Sequence, residues 1–160
     1  MRTSYIIALG SNVPHSRFGN PANILSAAID ALDLTVLAVS PTIASRPLGP
    51  SLRTYANGAA LIETEMMPDA LLDHLKALEA AFGRRSGGKR WGSRVLDLDI
   101  ILWSGGLWTS PGLGIPHREF RRRAFVLGPV CEIAGDWRDP ISGFSVRQLK
   151  ARLDRKHPFA

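Results

Sequence analysis

Two segments with apolar residues at helical spacing, each opened by a proline, are threaded between runs of strand character. Asn20-Pro21 precedes Ile24, Ala27, Ala28, Ala31 and Leu32, and Pro68 precedes Leu71, Leu75, Leu78 and Phe82. Proline suits the first helical position because its missing N–H would have no intrahelical partner there. The spacing predicts one helix to about Leu32 and another to near Gly83. Around them, residues 5–9, 35–39, 54–65 and 95–103 read as strands, rich in β-branched and aromatic residues. The first is expected to stop at Gly10-Ser11-Asn12, and Gly105-Gly106 turns the last. A short helix over 125–133 and a weak one over 145–153 follow a Pro/Gly-rich connection. The order strand, helix, strand, strand, helix, strand predicts an α+β, ferredoxin-like βαββαβ sandwich with additional C-terminal helices and strands.

Length and composition suit one closed core, since the chain has 160 residues, 45% of them hydrophobic. One domain over 1–160 is expected. No apolar run approaches the roughly 20 residues that span a bilayer, so a soluble, cytoplasmic protein without a membrane partner is the expectation. A lone Cys131 excludes an internal disulfide and a cysteine-based zinc site, and is expected to be a small buried apolar residue.

Chemistry concentrates at Asp97-Leu98-Asp99. Strand side chains alternate, so carboxylates at i and i+2 point the same way, roughly 7 Å apart. Leu96, Leu98, Ile100 and Leu102 are then expected on the opposite, core face of a central strand. Oxygen ligands of this kind suit magnesium, which keeps waters and binds substrate phosphates besides one or two carboxylates. Asp-x-Asp alone is equally compatible with a structural or surface pair.

Charge distribution favours the first reading. The formal net charge is +6, and 16 of the 20 cations are arginine. Nine cations fall in two clusters, Arg84, Arg85, Lys89, Arg90, Arg94 and Arg118, Arg121, Arg122, Arg123. Either alone can be a solvated basic face, but guanidinium forks beside paired carboxylates suggest a polyphosphate clamp. An RNA-binding module of the same fold is disfavoured, because it needs exposed aromatics where this chain places aspartates. A magnesium nuclease lacks an evident general base near Asp97, although His117 stays open for that role.

The run 90–101, Arg-Trp-Gly-Ser-Arg-Val-Leu-Asp-Leu-Asp-Ile-Ile, resembles the signature of the 6-hydroxymethyl-7,8-dihydropterin pyrophosphokinase family. Ala8-Leu9-Gly10-Ser11-Asn12, Pro47-Leu48-Gly49-Pro50, Tyr55-Ala56-Asn57, Pro116-His117 and Arg123-Ala124-Phe125 match it in order. The resemblance implies transfer of pyrophosphate from ATP to the hydroxymethyl pterin, for folate biosynthesis, by a monomer without a nucleic-acid partner. It implies that Asp97 and Asp99 bind two Mg2+ ions and that Arg84 and Arg94 stabilise charge during transfer. Glu79, Arg90, Trp91, Ile100, His117 and Arg123 would hold ATP. Phe125, with Tyr55 or Trp91, would sandwich the pterin, Asn57 and Ser45 would read its polar edge, and Leu48 would line the pocket. This chain departs from the pattern at Ser45, where threonine is usual, at Ala44, which offers no charge, and around Pro116-His117. There a basic residue is missing before the pair and an aromatic one after it. Arg118 or Arg121 is expected to compensate.

Overall fold

The computed structural model describes residues 1–13, 21–45, 54–85 and 95–156. Strand β1 (Thr3–Val13) forms the middle of an antiparallel sheet, flanked by β4 (Thr54–Thr64) and β5 (Asp97–Trp103). The short strands β2 (Thr35–Val39) and β3 (Ile43–Ser45) both pair with β4, giving the order β2-β4-β1-β5 with β3 beside β4. Between β1 and β2 runs α1 (Pro21–Ala31), and between β4 and β5 runs α2 (Pro68–Arg85), so the βαββαβ order and sheet topology are those expected. Asp33, in the left-handed region at φ 54°, follows α1. Aspartate tolerates that conformation better than most residues.

Alternation on β1 divides the core between the two faces of the sheet. Tyr5, Ile7 and Leu9 pack with Ile24, Leu25 and Ala28 of α1 and with Leu71, Leu75 and Phe82 of α2. Ile6 and Ala8 pack on the other face with Val126, Leu127, Val130 and Ala134 of α3 (Ala124–Ala134). The C-terminal helix α4 (Val146–Lys156) closes this second layer with Val146 and Leu149. Its start is a reciprocal cap: Gln148 N–H donates to Ser145 Oγ at 3.1 Å, and Ser145 N–H donates to Gln148 Oε1 at 2.8 Å. Cys131 is half-buried against this layer.

Three expectations need correction. β1 does not stop at Gly10, because Gly10, Ser11 and Asn12 continue its pairing with Asn57, Ala56 and Tyr55. β5 is an edge strand, not a central one; its apolar pattern reflects cover on both faces, which does not require a strand on both sides. Its alternation is also broken by a bulge, since Ile6 faces Leu102 while Ile7 faces Ile100. Leu102 therefore joins Ile101 on the α3 side, the face of the aspartates, while Leu98 and Ile100 stay on the helix α1/α2 side. The connection after β5 supplies additional strands of the kind expected beyond the sandwich, a hairpin of β6 (Trp108–Ser110) with β7 (Leu113–Ile115), followed by a 3-10 turn over Phe120–Arg122.

Candidate functional site

Register brings the singled-out residues into rows across three strands. Gly10 of β1 faces Asn57 of β4 on one side and Asp97 of β5 on the other. One pair further along, Ala8 faces Ala59 and Asp99. The floor between the polar walls is thus built from the two smallest side chains. A Cβ added to Gly10 would lie 3.3 Å from Asn57 Oδ1 and 4.0 Å from Asp97 Cβ, so a larger residue would crowd the row. Above this floor the start of α3 supplies Arg123, Phe125 and Val126, and together these groups line a cleft of about 310 Å³. Asp97 is half-buried and Asp99 exposed within it.

Phe125 is 48% exposed, presenting an aromatic face instead of filling the core, and Arg123 sits over its ring at 5.8 Å from the centroid. Tyr55, two residues before Asn57 on β4 and so of the same parity, is 37% exposed. A larger cleft, about 590 Å³, opens at the far end of the sheet around Arg2, Asp33 and Glu63. Arg2 is already committed there, donating to Glu63 and Thr35, each at 2.8 Å, and none of the singled-out residues reaches it. The smaller cleft is the one that gathers chemistry.

His117 is fixed beside the cleft by β5, its backbone N–H donating to the Ile101 carbonyl at 3.0 Å. Burial holds its imidazole below the usual histidine range, although the charge of Asp99 pulls the other way. Its Nδ1 accepts the Glu119 N–H at 3.1 Å, which leaves the proton of the neutral ring on Nε2, a hydrogen-bond donor. The second basic cluster is divided by its partners. Arg121 is bound by two hydrogen bonds to the fully buried Asp139, at 2.6 and 2.8 Å, and Arg122 is paired with Glu119. Arg121 is therefore a structural residue and cannot compensate for a missing ligand contact, whereas Arg118 is exposed.

Ile100 and Glu79, both expected to hold ATP, do not line this cleft. Ile100 is 2% exposed on the core face opposite the aspartates, so its side chain does not reach the cleft. One oxygen of the Glu79 carboxylate, Oε2, accepts the Leu98 N–H at 2.7 Å. Leu48, Arg90, Trp91 and Arg94, and the side chains of Ser45 and Arg84, lie outside the described residues. Ala8 and Gly10, whose part in the floor was not foreseen, are signalled in the sequence by small residues alternating with bulky Ile7 and Leu9.

The paired carboxylates suit Mg2+. Among the described residues no group of three or more histidine, cysteine, aspartate or glutamate side chains forms a closed metal cage, and a site of two carboxylates matches a cation that completes its shell with water and substrate oxygens.

A family model described as 7,8-dihydro-6-hydroxymethylpterin-pyrophosphokinase (HPPK) matches residues 6–135. The 2-amino-4-hydroxy-6-hydroxymethyldihydropteridine pyrophosphokinase of Pseudomonas aeruginosa is 41% identical over 139 residues, covering 84% of this chain and 82% of that protein. The enzyme of the same name from Methylorubrum extorquens is 38% identical over 157 residues, covering 95% and 94%. Among solved structures, wild-type Plasmodium falciparum HPPK-DHPS with SDX-DHP superposes with a TM-score of 0.75 at 11% identity. That match covers 99% of this chain and 46% of the other, so this chain spans about half the length of that structure and shares its fold.

Proposed function

The chain belongs to the 7,8-dihydro-6-hydroxymethylpterin-pyrophosphokinase family, and from that membership we propose how its cleft divides the work of the reaction. The reaction is the transfer of pyrophosphate from ATP to 6-hydroxymethyl-7,8-dihydropterin in folate biosynthesis, leaving AMP. The pterin hydroxyl oxygen bonds to the β-phosphorus while the bond to the departing AMP oxygen breaks, and the hydroxyl proton is released to solvent. Such transfers depend mainly on positioning and on charge placed around the moving group.

The convergence of Asn57, Asp97, Asp99, Arg123 and Phe125 on one cleft carries the assignment. Phe125 and Tyr55 offer exposed ring faces for a flat heterocycle, and Asn57 offers both donor and acceptor for its polar edge. Ser45, Leu48 and Trp91 complete the pterin side in this reading. Asp97 and Asp99 would hold two Mg2+ ions, whose charge would neutralise the phosphate oxygens. Arg123 and the Nε2–H of His117 reach the nucleotide from the start of α3 and the edge of β5, joined by Arg90 and Trp91. Arg84 and Arg94 stabilise the transferred group.

Arg84→Ala and Arg94→Ala are expected to lower turnover by two to three decades, about 2 to 4 kcal/mol, as for loss of a transition-state contact. Arg138→Ala and Arg152→Ala serve as controls, since Arg138 donates to the Gly143 carbonyl and Arg152 covers the Phe144 ring, far along the chain from the cleft. The assay follows AMP and pterin pyrophosphate together. Four equally slow variants would remove the two arginines from the mechanism.

Gly10→Val tests the floor. Its side chain would press on Asn57 and displace the amide that reads the pterin edge, so the pterin Kd should rise about tenfold, a loss of about 1.4 kcal/mol. Nucleotide affinity should change much less. Equal losses for both ligands would place the pterin elsewhere.

A further inference from the structure

We infer that Glu79 is a positioning residue for the paired aspartates: its carboxylate holds the amide of Leu98, the residue between them, and so sets the direction in which both carboxylates point. The inference rests on the reading of Asp97 and Asp99 as metal ligands.

Among the described residues β5 pairs with β1 along one side only. In an antiparallel edge strand, alternate residues direct their N–H and C=O groups away from the neighbour, and Leu98 is such a residue, its N–H going to Glu79 Oε2 at 2.7 Å. Such an edge is free to shift or bulge, and β5 already does so near Ile101. The Leu98 N–H belongs to the peptide that joins Asp97 to Leu98, so rotation of that peptide would turn Asp97 directly and shift Asp99 through the Leu98 backbone. A short hydrogen bond to a charged acceptor opposes that rotation.

The support for Glu79 is itself rigid. It stands on α2 between Leu75 and Phe82, both 0% exposed, which anchor the helix to the same core cluster that holds the Leu98 side chain. Leu98 thus shares a core cluster with α2 through its side chain and meets α2 directly through its amide at the edge. At the other end of the strand the Ile101 carbonyl accepts from His117. Glu79 is half-buried, and its hydrogen-bonded oxygen is turned to the backbone and not toward the cleft lining.

Glu79→Gln retains an oxygen that can accept the Leu98 amide, whereas Glu79→Leu leaves the amide facing a methyl group. With Mn2+ as the probe and a non-hydrolysable ATP analogue present, electron paramagnetic resonance gives metal affinity directly. The Leu variant should bind Mn2+ about 10- to 100-fold more weakly, the range found when a group that orients metal ligands is removed. The Gln variant should stay within about threefold of the parent on the same scale. Amide hydrogen exchange at Leu98 should be slow in the parent and the Gln variant and fast in the Leu variant, with the pterin Kd alike in all three. Mn2+ affinity unchanged in the Leu variant would overturn the inference, as would a Gln variant as impaired as Leu, which would show that the charge itself meets the ligand. Should the Leu variant not fold, rapid Leu98 exchange in the parent still overturns it. Asp97→Asn separates this from the underlying reading: if it binds Mn2+ like the parent, the aspartates are not the ligands, while if it fails and the Leu variant does not, only Glu79 is misassigned.

Discussion

Asp97→Asn and Asp99→Asn should each lower turnover by about three decades or more, with little change in the melting temperature of the ligand-free protein. Metal and phosphate neutralisation supplies several kcal/mol at the moment of transfer, and an uncharged carboxamide oxygen holds a divalent ion far more weakly than the carboxylate it replaces. The fold tolerates the change because Asp99 is exposed and Asp97 half-buried, on an edge strand. Exposed positions such as Asp99 usually tolerate substitution within about 0.5 kcal/mol, about 1 to 2 °C for a chain of this size, and the isosteric change at half-buried Asp97 should stay within about 2 to 4 °C. Magnesium with a non-hydrolysable ATP analogue should raise the parent's melting temperature clearly and those of the variants weakly, since stabilisation follows the logarithm of saturation. Paired melts and turnover assays decide it. A variant that melts far lower without ligand would make the pair structural, and one that keeps its turnover would exclude that aspartate from the site.

The largest expected loss of stability comes from a residue remote from the reaction. Asp139 is fully buried and accepts from Arg121, from Ser142 Oγ at 2.6 Å and from the Ile141 N–H at 3.1 Å. Burial alone would raise its carboxyl pKa and is the largest single influence, but the hydrogen bonds from Arg121, Ser142 and Ile141, with the arginine charge, together bring it down to about 2. Asp139→Ala strands Arg121 in a half-buried site and leaves two further donors unanswered. Breaking one side of such a pair costs about 3 to 5 kcal/mol, so the melting temperature should fall by about 6 to 20 °C. The pH dependence has a definite sign. With the folded value below the unfolded value of about 3.9, the stabilisation is complete above that pH and is lost as pH falls through about 2. Asp139→Asn should therefore flatten the acid limb of a stability-against-pH profile between about 4 and 2. A parent and an Asn variant with parallel acid limbs would show that the carboxylate carries no such load.

That pair also shows why an arginine cluster is a poor guide by itself. Arg118, Arg121, Arg122 and Arg123 are near neighbours in the chain, yet Arg121 goes to Asp139 and Arg122 to Glu119, while Arg123 reaches the cleft. Asp139 is 18 residues beyond Arg121, and nothing local marks it as that arginine's partner. The start of α4 was, by contrast, written locally: Ser145 and Gln148 at the spacing of a capping box are enough to nucleate it. Its apolar stripe then completes the layer beneath α3, which holds Arg123 and Phe125 over the sheet.

What the chain's own order of residues determined was the set of elements, through period, proline placement and strand composition, and the chemical kinds at the site, through Asp97-Leu98-Asp99 and its arginines. Those are short-range properties, set by backbone sterics and by which side of a helix or strand a residue occupies. Which strand became an edge, which face Leu102 took after the bulge, and which of Arg121 and Arg123 was free for a ligand were decided only in the tertiary structure. Each depends on partners far away in sequence: β1 pairing β5 on one side only, Asp139 capturing Arg121, and Glu79 reaching from α2 to the amide between the aspartates. Hydrogen bonds and burial select among such partners by distance in space, and a linear pattern carries that distance only after the chain has folded.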